Sequence, residues 1–227
     1  MTAKKVMLVC TSASELAGHP TGAWMEEIAT PWYAMQQAGL DVELVSIQGG
    51  EVPIDGGSMG GDFYTEDCKK FCEEDAGAMA ALKATKALGD VRQEDYDGLY
   101  LAGGHGTCVD FYNNSLLTAV IEAQFAAGKP VAADCHGPIA LLSCKKPDGS
   151  ALLDGMEATC FTDSEETAVG LHEKVPVLVE SAFRALGCKF NGAADWSPHA
   201  VCDKNLVTGQ NPASSKPCVE LFIKLFA

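Results

Sequence analysis

The chain has 227 residues, 47% of them hydrophobic, and its 31 acidic residues against 16 basic ones give a net charge of -15. That length and apolar content suit one α/β domain spanning residues 1–227 with a substantial core, and they exclude disorder. So negative a surface repels phosphate backbones and anionic bilayers, which argues against nucleic-acid and membrane partners.

The N-terminal run Met-Thr-Ala-Lys-Lys leads into only a short apolar stretch, Val6 to Cys10. A secretory leader needs a longer apolar region and a small-residue cleavage site, so a cytoplasmic protein is expected. The ten cysteines include no Cys-x-x-Cys pair. In a large chain without a secretory signal, most are expected to be reduced and buried. Cys68 and Cys72 are spaced to share a helix face, but two thiols without further ligands make a poor metal site.

In chain order, apolar runs alternate with helical patterns, as in βαβ units around a parallel sheet. Val6–Cys10 reads as a buried strand. Trp24 to Ala38 has helical spacing and stops before Gly39. Asp41–Ile47 reads as a second strand, and the glycine-rich segment 48–61 as a loop. Residues Glu66–Leu88 suggest one or two helices, with 66–90 a helical insertion.

Tyr96–Ala102 reads as a third strand ending in Gly103-Gly104. Leu116–Ala127 is helical, Pro130–Ala133 is a fourth strand, and Pro138–Cys144 continues as helix. Strands at Ala158–Phe161 and Leu206–Thr208 complete the predicted sheet, and Val177–Leu186 and Val219–Phe226 are late helices. The fold class is α/β: a flavodoxin-like three-layer sandwich with a mostly parallel sheet. Such folds bind ligands at the carboxyl ends of their strands, here the loops after Cys10, Ala102 and Asp134.

The sharpest motif is Ala133-Asp134-Cys135-His136-Gly137-Pro138. Small residues two before and two after Cys135 permit a tight strand-to-helix turn, a nucleophile elbow that presents the cysteine at the strand tip. A helix N-terminus there favours the thiolate, so Cys135 is expected to ionise below the ordinary thiol value of about 8.5. The turn Ala102-Gly103-Gly104-His105-Gly106 also ends a strand. Its glycines let backbone amides approach a ligand, and the amides of Gly104 and His136 form a candidate oxyanion hole. His105 either lines the pocket or only contributes backbone to the turn. His19, in the loop after the first strand, and Trp24 are candidate substrate contacts. His172 and His199 read as structural.

These motifs, with Glu27 between Gly22 and Pro31, Asp110-Phe111, and Leu206 to Pro212, resemble the DJ-1/PfpI superfamily along nearly the whole chain. The likeness is strongest to its glyoxalase III and heat-shock-inducible chaperone branch. The resemblance implies a homodimer, no metal or organic cofactor, and a small α-oxoaldehyde substrate such as methylglyoxal or glyoxal. It assigns Cys135 as nucleophile, His136 as the adjacent histidine, Glu27 as the buried glutamate beside the cysteine, and Glu166 as the acid that orients the histidine. Glu26 competes with Glu27, and Glu165 with Glu166. Sequence leaves open whether His136 or Glu27 is the base.

The same branch leaves rivals: protein deglycation, a cysteine-dependent amidase or peptidase, a holdase chaperone, or an oxidative-stress sensor. A glutaminase is disfavoured, because its histidine lies elsewhere in the chain and it passes ammonia to a synthetase.

Overall fold

In the computed structural model, which describes residues 3–227, β1 (Lys5–Cys10) is buried along nearly all its length, as its unbroken apolar run requires. Met1 and Thr2, part of the N-terminal run weighed above as a leader, lie outside the described residues. Six more strands join β1 in one sheet: β2 (Asp41–Ser46), β3 (Lys86–Ala87), β4 (Gly98–Leu101), β5 (Val131–Asp134), β6 (Ala200–Asp203) and β7 (Leu206–Gly209). The order is β6-β7-β5-β4-β1-β2-β3. Every neighbouring pair is parallel except β6 with β7.

The side-chain alternation of the central strands splits the core in two. Met7, Val9, Leu99, Leu101, Val131 and Ala133 face one layer, with α3 (Ser115–Ala126) and α5 (Val179–Ala185). Val6, Leu8, Tyr100 and Ala132 face the other, with α1 (Glu26–Gln37) and α6 (Ser215–Lys224). Helix α2 (Ala76–Lys83) caps the β2–β3 side, and α4 (Asp163–Val169) lies near the carboxyl ends of the central strands. No described helix is long and apolar enough to cross a membrane.

Several sequence expectations are corrected. The strand foreseen at Ala158–Phe161 does not join the sheet; only Glu157–Ala158 is extended, and it pairs with Lys189–Phe190 in a separate ribbon. The sheet instead gains β6 and β3, the latter inside the segment read as helix. The insertion is broken: a turn at Glu66–Lys69 runs into a π-helical stretch, and Asp75 caps α2 by accepting from the Ala78 amide at 2.9 Å. Helix α1 begins at Glu26, so Trp24 precedes it. The helix after the elbow is a 3₁₀ segment, Gly137–Ser143.

The carboxyl ends of β1, β4 and β5 converge with the loop before α1. The Trp24 amide donates to the Gly103 carbonyl at 3.2 Å, and the Gly106 amide to the Gly22 carbonyl at 3.1 Å. Gly104 makes this approach possible: its φ is +100°, and a Cβ there would lie 2.5 Å from the Gly22 oxygen and 2.6 Å from the Trp24 nitrogen. Gly104→Ala therefore combines a disfavoured backbone with a backbone clash. It is expected to destabilise the protein by about 2 kcal/mol or more and to lower the melting temperature by several degrees in a thermal scan.

Candidate active site

Cys135 follows β5 in a left-handed conformation, φ 54°. A non-glycine residue holds such a backbone only where its surroundings fix it. Here the Cys135 amide donates to the Gly209 carbonyl of β7 at 3.0 Å, and its carbonyl accepts from the Phe161 amide at 2.9 Å. Of the small residues foreseen around the elbow, Gly137 is required: a Cβ on it would sit 2.6 Å from the Leu101 oxygen.

The turn brings Cys135 Sγ to 3.2 Å from His136 Nδ1. His136 Nε2 lies 2.6 Å from Glu166 Oε2, and His105 Nε2 lies 2.8 Å from Glu166 Oε1. The two imidazoles are 3.9 Å apart between centroids, and Phe161 packs on His136 at 4.4 Å. One buried carboxylate thus serves two histidines. Burial alone would raise Glu166, but hydrogen bonds from His105 and His136 hold it down to about 2. Burial and the neighbouring His105 push His136 down to about 4. At neutral pH the carboxylate is charged and His136 neutral. Nε2–H then donates to Glu166, which leaves the Nδ1 lone pair facing the thiol.

Helix α4 places Glu166 against both histidines, whereas Glu165 turns elsewhere. Glu165 closes a capping box with Thr162 and accepts from the Trp196 amide at 2.8 Å and Asn211 Nδ2 at 2.8 Å. It braces loops and does not meet the histidines.

Glu27 is fully buried on the opposite side of the sulfur. One oxygen approaches Gly103 so closely that a Cβ there would lie 2.4 Å from it. Both oxygens lack a well-formed hydrogen bond, although Cys135 and the Gly103 amide lie close enough to influence the carboxyl. Burial, and then the charge of Asp134, hold Glu27 well above the usual carboxylate range. Glu26 points away from the sulfur, to the segment that carries Thr65 and Cys68. It accepts from Thr30 at 2.8 Å, from the Thr65 hydroxyl, and from the Cys68 thiol at 3.4 Å.

The expected depression of the Cys135 thiol is not found. Burial pushes it well up, carboxylate charge on Glu27 and Asp134 adds to this, and the Gly104 amide opposes it. The helix signal misled because the elbow opens a 3₁₀ segment with Cys135 only 3% exposed. His136 Nδ1, 3.2 Å away, is the acceptor nitrogen that faces the thiol.

Above the sulfur lies a cavity of about 100 Å³ walled by Trp24, Phe63, Phe161, Trp196 and Pro212, with Gly104, His105, Cys135 and His136 at its floor. His105 is among the residues that line it. His19 is not among the lining residues; it sits in a small hairpin pairing Glu15–Leu16 with His19–Pro20. Phe63, Phe161 and Trp196 went unseen in sequence because they arrive from loops and a short 3₁₀ turn, with no spacing to mark them. The metal-compatible donor cluster among the described residues is the trio His105, His136 and Glu166. Each Nε2 is already engaged by a Glu166 oxygen, so the trio has the geometry of a proton relay.

The profile of the DJ-1/PfpI family matches residues 20–224. The chain belongs to this family. It is 32% identical to the glutathione-independent glyoxalase HSP31 of Saccharomyces cerevisiae, over 95% of this chain and 94% of that protein. The crystal structure of glyoxalase III from Candida albicans superposes with a TM-score of 0.90 at 27% identity, covering 99% of this chain and 98% of that one. The Francisella tularensis Rapid Encystment Protein gives 0.93 at 31% identity and 99% coverage of both chains.

Both titrations at the relay have one sign. The unfolded chain binds protons at ordinary His and Glu values, whereas the folded His136 and Glu166 resist them until about 4 and about 2. Their contribution is present above the unfolded values and is lost as pH falls. The raised carboxyls Asp134 and Glu27 titrate with the opposite sign. The His136 contribution is therefore read as the difference in melting temperature between wild type and His136→Asn in thermal melts across pH. That difference is expected to fall as pH is lowered from about 6.5 toward 4.

Proposed function

We propose that the chain is a glutathione-independent glyoxalase of the glyoxalase III type, converting methylglyoxal to lactate and glyoxal to glycolate. The observation that carries this reading is the unbroken path Cys135–His136–Glu166 beneath a small, apolar-walled cavity. A water's share of liquid volume is about 30 Å³, so the space suits a molecule of a few heavy atoms. The names of the yeast relatives point the same way.

In the proposed sequence His136 Nδ1 takes the thiol proton, and the sulfur attacks the aldehyde carbon C1 to form a hemithioacetal. Amides of Gly104 and His136 hold the developing oxyanion. A base moves the C1 proton to C2 through an enediol, which oxidises C1 to a thioester and reduces C2 to a carbinol. Water then cleaves the thioester, releasing the hydroxy acid and the thiol. The net change is addition of one water, the lyase chemistry of a lactate dehydratase run toward lactate, so electrons balance within the substrate. His136 lines the cavity and Glu27 does not, which favours His136 as the moving base. Glu27, held protonated, is placed to donate toward the sulfur. The homodimer and the cytoplasmic setting belong to the same proposal, the first testable by sedimentation and the second by fractionation.

The test is lactate formation from methylglyoxal without glutathione. Cys135→Ser is expected to lose at least about 100-fold in kcat/KM with the melting temperature little changed. Glu166→Gln should lower kcat more than KM changes, since it misorients both histidines. Turnover by Cys135→Ser at a tenth of wild type or more would remove the cysteine from the mechanism.

A further inference from the structure

Asp134 immediately precedes the nucleophile but projects to the other face of the sheet, into the layer that holds α1 and α6. It is fully buried. Its Oδ2 accepts from the Tyr100 hydroxyl of β4 at 2.9 Å, while Oδ1 is buried without a partner. Both oxygens of Glu27, buried in the same layer, are likewise unpartnered. The Glu27 carboxyl and the main chain of Asp134 meet at Gly103, where a Cβ would lie 2.4 Å from Glu27 Oε2 and 2.5 Å from the main-chain oxygen of Asp134. Two carboxyls with three unpartnered oxygens among them cannot both be charged in a low-dielectric interior. None of the ion pairs among the described residues reaches either one.

We propose that Asp134 is a positioning residue for the nucleophile: as the anion of the pair, anchored by Tyr100, it keeps the proton on Glu27, from where it can serve the Cys135 sulfur. The division of labour follows from the partners. Asp134 has the Tyr100 hydroxyl as a donor, so it is the better anion; burial nevertheless brings it up to about 7. Glu27 has no such donor and lies well above the carboxylate range. The other titratable groups facing the pair are Cys10 of β1, Cys218 of α6, Tyr100, Cys135 itself, and Glu26 along α1. None of these is a cation that could neutralise a second charge. Sign follows directly: when Asp134 ionises, Glu27 holds its proton to higher pH.

The role of Glu27 in turnover rests on the glyoxalase reading; the protonation of Glu27 does not, and it is measured separately. Infrared difference spectra of the full-length protein across pH report the carbonyl stretch of a protonated buried carboxyl, assigned to Glu27 by its loss in Glu27→Gln. In wild type this band should persist through neutral pH, and a second band, from Asp134, should fade near pH 7. In Asp134→Asn the Glu27 band should disappear at least about one pH unit lower, and the alkaline limb of kcat/KM for methylglyoxal should move the same way. Tyr100→Phe removes the donor to Asp134, so the Asp134 band should fade above its wild-type pH. A Glu27 band absent from wild type at neutral pH, or unmoved in Asp134→Asn, overturns the proposal. Should Asp134→Asn fail to fold, an Asp134 band unmoved in Tyr100→Phe overturns it equally. Absence of methylglyoxal turnover alongside shifted bands would instead overturn the glyoxalase reading and leave the proton pair standing.

Discussion

The left-handed backbone at Cys135 is the constraint on which the site depends. A cysteine at φ 54° stores about 1–3 kcal/mol of backbone strain, and the neighbouring strands hold it there. The Cys135 amide is fixed to β7, its carbonyl to the segment carrying Phe161, and the turn fits against β4 only because residue 137 is glycine. The same kink that lifts the thiol toward the cavity turns the His136 ring to Glu166 and leaves Asp134 on the far face of the sheet. One backbone torsion thereby sorts three consecutive side chains into a layer above, the reacting atom, and a layer below.

The electrostatics follow this sorting. Above the turn, Glu166 is charged and hydrogen-bonded to two histidines, while burial and the neighbouring His105 keep His136 neutral against the pull of that carboxylate, so its free nitrogen faces the thiol. Below it, Glu27 and Asp134 are buried with few partners, and the interior suppresses their combined charge. In the proposed reaction the sulfur lies between a proton acceptor, His136, and a proton donor, Glu27. Burial makes spontaneous ionisation of the thiol unfavourable, so a thiolate is available when His136 accepts the proton, which couples nucleophile formation to the relay.

Much of this was legible in the sequence. β1, β2, β4, β5 and β7 announce themselves as apolar runs, and the elbow by its small residues at fixed spacing. Glu27 and Glu166 came from resemblance, and their neighbours Glu26 and Glu165 turned out to be tied to the insertion and to a capping box. The losses have physical causes. β3 has two residues inside a strongly helical composition, and β6 has four at an antiparallel edge, so neither carries a period. Ala158–Phe161 reads as a strand because it is buried, but Phe161 is buried by packing on His136. The thiol expectation failed because a helix-terminus argument was applied to a 3₁₀ segment and took no account of burial. Phe63 and Trp196 reach the cavity through tertiary structure alone.

The most direct test of the account is to follow methylglyoxal labelled with ¹³C at C1 by NMR, with no glutathione present, and to quench the reaction for peptide mass spectrometry. The account predicts lactate labelled at its carboxyl carbon and a transient adduct confined to the peptide containing Cys135. Lactate that forms only when glutathione is added, or an adduct carried by any other residue, would contradict it.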